Sequence, residues 1–256
     1  EKEFSFVSPT EPGLDSVNAM NALSAGTAKV FVSLAGNLVA AMSDSQLAED
    51  GVRNAELTVQ VATKLNRSHI VTGQESLLLP VLVRAERDVQ ASGLQFVTAE
   101  DTVCRVNMSH GELDPVSPEV KSDVWVIAEL GKRVLSDSRI PWDEFRDNYD
   151  TIRNSIARVI PGFENFNDRI REELSFVLPH PPRDSRTFPT SNGKAHFTMQ
   201  NTELIAVPAG RLILQSMRAH DQHNTTIYSL NDRYRGIKKG RFVIFMHPED
   251  LAARGL

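Results

Sequence analysis

The residues best suited to chemistry lie together near the carboxyl-terminal end, in the stretch Leu212–Gly236. An apolar start, Leu212–Leu214, is followed by amide, hydroxyl, imidazole, guanidinium and carboxylate side chains that keep no apolar period of 2 or 3.6 residues. Such side chains, with backbone N–H groups, suit a phosphate or a fused heterocycle rich in nitrogen and oxygen. The alternative is a solvated loop, because polar residues are common between strands.

Catalysis by this chain alone is not indicated by its motifs. His220 and His223 have HxxH spacing but lack the glutamate and helical context of a zinc protease. The single cysteine, Cys104, has no neighbouring motif that would make it a nucleophile, so we interpret it as structural. One cysteine also excludes an internal disulfide and a four-cysteine iron–sulfur site within these 256 residues. We expect no catalytic and no metal-ligating residue here.

A second set of polar residues follows predicted strands in the first half of the chain. Val30–Leu34 and Leu57–Ala62 are β-branched apolar runs separated by a predicted helix, Ser45–Val52, which together indicate a βαβ unit. Ligands of open α/β sheets bind at the carboxyl ends of the strands. The candidates at that edge, including those beyond a short third strand Leu77–Leu79, are Asn37, Thr63, Lys64, Arg87 and Asp123.

Each of these candidates has a structural alternative. Gly36-Asn37 is also a common tight turn, and Lys64 is also a typical solvated side chain. Arg87 lies beside Glu86 and Asp88, with which it could form a surface ion pair. Asp123 precedes a periodic apolar run and is therefore also a candidate helix N-cap.

The predicted elements favour an α/β fold followed by a mostly β segment. Residues 1–185 are predicted to form a doubly wound, mainly parallel, Rossmann-like sheet with helices on both faces. Residues 186–256 are predicted to begin a β-barrel domain that is truncated. Further predicted elements are the helices Ser16–Ser24, Asp123–Leu135 and Trp142–Val159, the linker Pro179–Gly193, and the strands Phe96-Val97, Val103–Val106, Ala195–Met199, Leu204–Val207, Arg211–Leu214 and Arg241–Phe245.

Composition limits the classes of function. The chain is 41% hydrophobic and 24% charged, which is typical of a globular protein, and its net charge of −5 argues against a nucleic-acid partner. Neither a membrane span nor a signal peptide is visible, so we predict a cytoplasmic location. Because the sequence begins with Glu1 rather than Met, we expect it to be a piece of a longer protein.

The motif RAHDQHNTT followed by DRYRG resembles the start of the C-terminal molybdopterin-dinucleotide-binding domain of the molybdopterin oxidoreductases, closest to the formate-dehydrogenase-like alpha subunits. The segments VFVSLAGNLVAAMSD, LTVQVATKLNRSH, ESLLLP, KSDVWVIAEL and TSNGKAHF occur in the order that this family shows, so the resemblance covers nearly the whole chain. It implies the third domain and the start of the fourth domain of a molybdenum oxidoreductase.

The resemblance also implies a cofactor and its contacts. The cofactor would be bis-molybdopterin guanine dinucleotide with molybdenum, and a 4Fe–4S cluster would lie only in the missing N-terminal part. Asp123 would pair with guanine N1–H and the exocyclic amine, whereas Lys64 departs from the family, which often has an acid nearby. In the carboxyl-terminal stretch the implied cofactor-binding residues are Ser216, Met217, Arg218, His220, Gln222, Asn224 and Thr225.

Two classes of function follow. In the first, the intact enzyme transfers two electrons to or from a small substrate such as formate, with an electron-transfer subunit as partner, and this piece alone is inactive. In the second, the chain is a Rossmann-like interaction module whose polar stretch docks another subunit. Without the cofactor we expect the loop Ser216–Thr225 to be exposed, mobile or contorted, with few internal hydrogen bonds from Arg218 and His220.

Overall fold

The computed structural model describes residues 2–256. The chain forms two compact units, residues 1–197 and 198–256, and each is described by itself. The predicted domain boundary after residue 185 stays a prediction, because these units are defined by compactness alone.

The first unit begins with the predicted βαβ arrangement. Its first elements are α1 (Ser16–Ser24), β1 (Val30–Leu34), α2 (Leu38–Ala41), α3 (Ser45–Asn54), β2 (Leu57–Ala62), a 3-10 turn (Arg67–Ile70) and β3 (Glu75–Pro80). β1 pairs with β2 and β2 pairs with β3, in both cases parallel, so β2 is central. The prediction that Val30–Leu34 and Leu57–Ala62 are neighbouring parallel strands is confirmed.

Local capping and apolar packing explain these elements. Asp15 begins α1 because its Oδ1 accepts a hydrogen bond from Asn18 N at 2.8 Å, and Asp44 Oδ1 does the same for Leu47 N at 2.9 Å in α3. Met20 and Leu23 of α1 pack with Ala48 of α3, and Phe31 of β1 lies against this cluster. One face of the sheet is thus covered over β1 and β2. The predicted α/β class with a parallel sheet is confirmed, whereas double winding with helices on both faces stays a prediction.

The remainder of the first unit is a smaller antiparallel sheet with helices. Its elements are β4 (Val89–Gln90), β5 (Gly93–Leu94), β6 (Val97–Glu100), β7 (Arg105–Ser109), α4 (Asp123–Val134), α5 (Trp142–Asp147), α6 (Tyr149–Val159), α7 (Phe166–Glu173), β8 (Ser175–Val177) and α8 (Pro181–Ser185). β7 lies between β6 and β8, and Val106, Phe166, Ile170 and Phe176 form a second core beneath it.

Two predictions for this region are wrong in detail. The single helix Trp142–Val159 is interrupted at Asn148, which has φ −151° and ψ 107° and caps α6 by accepting a hydrogen bond from Asp150 N at 3.0 Å. The predicted linker Pro179–Gly193 contains α8, whose first residue is Pro181, a residue type suited to the first helical turn.

The second unit has little regular structure among the described residues. It contains a short hairpin of β9 (Gln222–His223) and β10 (Thr226–Ile227) and a helix α9 (Pro248–Ala252). The four strands predicted from Ala195 onwards are not formed, and no β-barrel begins here. A strand needs a hydrogen-bonded neighbour and a barrel must close, so apolar alternation alone does not produce either of them.

None of the helices within residues 2–256 is long and apolar enough to cross a membrane.

Candidate functional site

The loops after β1 and β2 are joined at the carboxyl end of the sheet. Ala35 and Gly36 have positive φ values of 59° and 85°, which turn the chain sharply after β1. Ser68 Oγ donates to Asn37 Oδ1 at 2.8 Å, and Asn66 Nδ2 donates to Gly36 O at 2.7 Å. The hydrogen bond between Ser68 and Asn37 therefore holds the loop after β1 against the loop after β2.

Thr63 and Lys64 follow β2 directly and are exposed at the same edge. Within the described part of the chain, neither side chain has a hydrogen bond or an ion pair. A hydroxyl and an ammonium group are therefore accessible at the end of the central strand, next to the loop that contains Asn37.

The third position along the edge is built by a segment that pairs beyond β3. Val81 forms a parallel bridge with Lys121, and Leu82 N donates to Lys121 O at 3.0 Å. This pairing places the start of α4, and therefore Asp123, next to the carboxyl end of β3. Asn37 thus follows β1, Thr63 and Lys64 follow β2, and Asp123 follows the segment that pairs beyond β3, all at one edge.

A cleft of about 710 Å³ lies beside this third position. Its lining includes the basic residues Arg87 and Lys121, the carboxylates Asp88 and Asp114, and the indole of Trp125. Arg87 is exposed and forms an ion pair with Asp114, not with the adjacent acids that the sequence suggested. The cleft therefore combines cationic groups with an aromatic surface, which suits a phosphorylated heterocycle.

Helix α4 is capped by Ser122 and not by Asp123. Ser122 Oγ accepts a hydrogen bond from Trp125 N at 3.1 Å, and Ser122 is buried. Asp123 is the first residue of the helix and is exposed, with Oδ1 accepting from Val124 N at 2.8 Å. The capping alternative for Asp123 is wrong, and its carboxylate remains accessible to a ligand.

A buried hydrogen-bonded chain, which the sequence analysis missed, supports the cleft wall. Tyr149 Oη donates to Asp88 Oδ2 at 2.5 Å and lies 2.6 Å from Ser122 Oγ. Burial raises the pKa of the Tyr149 hydroxyl well above its usual range, and the hydrogen bond to Asp88 raises it further. No motif in the sequence links these residues, because the two contacts join positions 27 and 61 residues apart in the chain.

In the second unit, the side chains of Arg218 and His220 differ in the internal hydrogen bonds that they form. Arg218 is exposed, and among residues 2–256 its side chain has no hydrogen bond or ion pair. Together with Ser216 and Met217, Arg218 lines a cleft of about 680 Å³. His220 Nδ1 lies 3.1 Å from Asp232 Oδ1 and 2.8 Å from Arg235 Nη1. The expectation of few internal hydrogen bonds is met by Arg218 and is wrong for His220.

Asp232 is the residue that organises this loop. It is 3% exposed and accepts hydrogen bonds from Arg235 Nη1 at 2.6 Å and from the His220 backbone N–H at 3.3 Å. Burial alone would raise the pKa of Asp232, but the hydrogen bonds from Arg235 and His220 outweigh it and hold this pKa well below its usual range. The DRYRG motif contains Asp232 and Arg235, although the motif did not reveal that Asp232 organises the loop.

The remaining predicted residues of the stretch shape the hairpin. Gln222 Oε1 accepts from Arg241 Nη2 at 2.6 Å, and Gln222 Nε2 donates to Asn224 O at 2.7 Å. Asn224 has a left-handed φ of 49° and, with Thr225, forms the turn between β9 and β10. Their predicted contacts with a cofactor stay predictions. No group of three or more His, Cys, Asp or Glu residues in the described chain is placed to hold a metal ion.

Comparison with known proteins gives relatives that are much longer than this chain. No protein-family model matches it. An uncharacterized oxidoreductase of Mycobacterium tuberculosis is 46% identical over 257 residues, covering 100% of this chain and 33% of the relative. Protein YdeP of Escherichia coli (strain K12) is 37% identical over 249 residues, covering 96% of this chain and 32% of the relative. The chain therefore spans about a third of the length of these curated relatives.

These comparisons correct the family resemblance inferred from the sequence. No molybdopterin family model matches, and the relatives carry the names of an uncharacterized oxidoreductase and of YdeP. The assignment to formate-dehydrogenase-like alpha subunits of the molybdopterin oxidoreductases is therefore wrong. The motifs behind it are short runs of polar residues and apolar strands, which many α/β proteins need for turns and packing.

Proposed function

We propose that this chain is the cofactor-holding part of an oxidoreductase, and that its ligand is a guanine dinucleotide cofactor of the (bis-)molybdopterin guanine dinucleotide type. The observation that carries the proposal is the exposed Asp123 carboxylate, freed from helix capping by Ser122, at a sheet edge beside a cleft with Arg87, Lys121 and Trp125. The oxidoreductase names of relatives support the general class.

The chemistry of the donors and acceptors fits such a group. Guanine presents two adjacent N–H donors, and an ionised carboxylate is an acceptor with two oxygens. A diphosphate needs cations, which Lys64, Arg87 and Lys121 supply along the same edge. Because Arg87 is already paired with Asp114, an anion would compete with that carboxylate for the guanidinium.

The cofactor and the residues of this chain would have different roles. The bound cofactor would supply the two-electron chemistry through its metal, while this chain would bind and orient the guanosine half. The whole protein would act on a small substrate such as formate and pass electrons to a partner subunit, with any iron–sulfur cluster outside these 256 residues. The chain by itself would bind without catalysing.

The test compares two aspartates of the full-length protein. Asp123→Asn should lower the guanine nucleotide and molybdenum content per chain by about tenfold or more, because one charge-assisted contact contributes about 1.5–3 kcal/mol. Asp168→Asn is the matched control, since Asp168 is also exposed in the first turn of a helix, α7. Nucleotide released on denaturation is measured by chromatography and metal by mass spectrometry.

The same preparation tests the carboxyl-terminal loop. Arg218→Ala should lower the nucleotide content and leave the melting temperature nearly unchanged, because the Arg218 side chain has no internal partner among the described residues. Wild-type protein that was matured with a molybdenum supply yet contains no guanine nucleotide would overturn the proposal. Equal nucleotide contents for the Asp123 and Asp168 variants would also overturn it.

The interaction module remains the second candidate. The apolar side chains of Phe197, Leu204 and Phe242 are exposed, which is typical of segments that pack against another polypeptide. An interaction module would contain neither molybdenum nor guanine nucleotide, so the measurements above separate the two functions.

A further inference from the structure

The parallel sheet has one apolar face that the rest of the first unit covers only at Val61, which is 2% exposed. Because residues paired in a parallel sheet share a face, the register places three residues of each strand together. This open face consists of Val30, Val32 and Leu34 of β1, Leu57, Val59 and Val61 of β2, and Glu75, Leu77 and Leu79 of β3. Every residue of the open face except Glu75 is valine or leucine.

Exposure on this face is unusual for side chains of this type. Val30, Val32, Leu34 and Leu77 are 56%, 49%, 50% and 52% exposed, and Leu57, Val59 and Leu79 are half-buried. Parallel sheets occur almost only with both faces covered, because their strands are apolar on both sides. On the opposite face, Thr58, Gln60 and Ala62 of β2 are buried, whereas Leu78 of β3 is exposed.

The charged groups of this region lie at one border of the open face. Lys29 Nζ pairs with Glu56 Oε1 at 2.6 Å just before β1 and β2, and Glu75 begins β3. From that border to the carboxyl ends of the strands, the open face carries no charge. Its occupant must therefore be apolar along its length and polar only near one end, as an amphipathic helix packed on a sheet would be.

We propose that the open face is covered by helices from the part of the full-length polypeptide that lies outside these 256 residues. The length outside is sufficient, since the relatives are about three times as long as this chain. Such a helix layer would complete the double winding of the sheet. The proposal does not rest on the identity of the cofactor.

Two other occupants would leave different traces. Residues 198–256 contain one helix, α9, of five residues, which is too short to cover three strands. A second copy of the chain would bring two identical open faces together and produce a dimer. The outside polypeptide is the proposed occupant, and paired variants with cross-linking distinguish it from the other two.

Neighbouring leucines of β3 provide a matched pair of variants in the full-length protein. Leu77 lies on the open face and Leu78 on the opposite face, and they are 52% and 45% exposed. Leu77→Lys should lower the midpoint of thermal unfolding by at least about 3 °C more than Leu78→Lys does, because only position 77 would be enclosed. Equal shifts would overturn the proposal.

Photo-leucine cross-linking tests the proposal even if the Leu77→Lys variant does not fold. Full-length protein is labelled with this leucine analogue, irradiated, and mapped by mass spectrometry, with isotopically mixed copies to separate links within a chain from links between chains. Leu34 and Leu77 should link to residues of the same chain outside the 256. Links only to residues 198–256, only to a second copy, or to nothing would each overturn the proposal.

Discussion

At the residue scale, Ser122 and Asp123 have different roles although both are common capping residues. The position of the cap is set by the pairing of Val81 with Lys121, which fixes where the extended chain ends and α4 begins. Ser122 then accepts from Trp125 N and contacts Tyr149, while Asp123 stays exposed. Sequence alone could not assign the cap, because a shift of one residue exchanges the two roles.

Substitution of these two residues should therefore have unequal effects on stability. Ser122→Ala removes the cap and a hydrogen-bond partner of the buried Tyr149 hydroxyl, which should cost about 1–3 kcal/mol in the free energy of unfolding. Asp123→Ala should cost less than about 0.5 kcal/mol, since the residue is exposed and is not the cap. Urea unfolding of both variants measures this difference, and a larger loss for Asp123→Ala would contradict the assignment of the cap.

At the element scale, the sequence predicted the bounds of those helices and strands that depend on interactions between residues close together in the chain. The bounds of α1, β1 and β2 agree with the sequence analysis, because capping by Asp15 and runs of β-branched residues act within a few residues. The interruption at Asn148 was missed, since the helical pattern continues across it. The strands predicted beyond Ala195 failed because their partners cannot be read from a local pattern.

Gly111 shows a constraint that acts between elements. Its position lies against the chain at Glu86, so a Cβ there would be 2.1 Å from Glu86 O. The adjacent segments are held by Leu113 N donating to Ala85 O at 2.9 Å and Arg87 N donating to Leu113 O at 2.8 Å. The backbone that carries Arg87 thus depends on the absence of a side chain at residue 111.

We expect Gly111→Ala to destabilise the protein by about 1–3 kcal/mol, because the clash is with backbone and cannot be relieved by a change of rotamer. Gly13→Ala is the control, since a Cβ at Gly13 would meet nothing within 4 Å. Chemical denaturation of both variants gives the comparison. Similar stabilities would mean that the Glu86 and Gly111 segments are able to separate without cost.

At the scale of the whole molecule, two surfaces could not be interpreted from the sequence, and for the same physical reason. The open face of the sheet and the unpaired apolar segments of the second unit both contain apolar side chains that the sequence pattern marks for burial and that are exposed among the described residues. Sequence periodicity indicates which side chains should be buried, but it does not identify what buries them. The candidate residues at the sheet edge were predictable from strand order, whereas the cleft wall formed by Asp88, Ser122 and Tyr149 was not.

The response of stability to alkaline pH should report on that cleft wall. The folded protein holds the pKa of Tyr149 well above its usual range through burial and the hydrogen bond to Asp88, whereas an unfolded tyrosine ionises near pH ~10. A raised pKa in the folded state contributes stability that is fully present below pH ~10. Above that pH the unfolded state alone releases the proton, so stability falls by about 1.4 kcal/mol per pH unit for this group.

Tyr149→Phe isolates this contribution from other groups that titrate at alkaline pH. The variant should be less stable than wild type at pH 8 by about 1–2 kcal/mol, because Asp88 and Ser122 lose a hydrogen-bond partner. The difference should shrink between pH ~10 and ~11, since only the wild type then bears the cost of keeping a buried tyrosine neutral. Tyr228→Phe is the control for the loss of a tyrosine hydroxyl, because Tyr228 is exposed. Urea unfolding at several pH values measures both series, and a constant gap for Tyr149→Phe would show that the Tyr149 hydroxyl is not enclosed in solution.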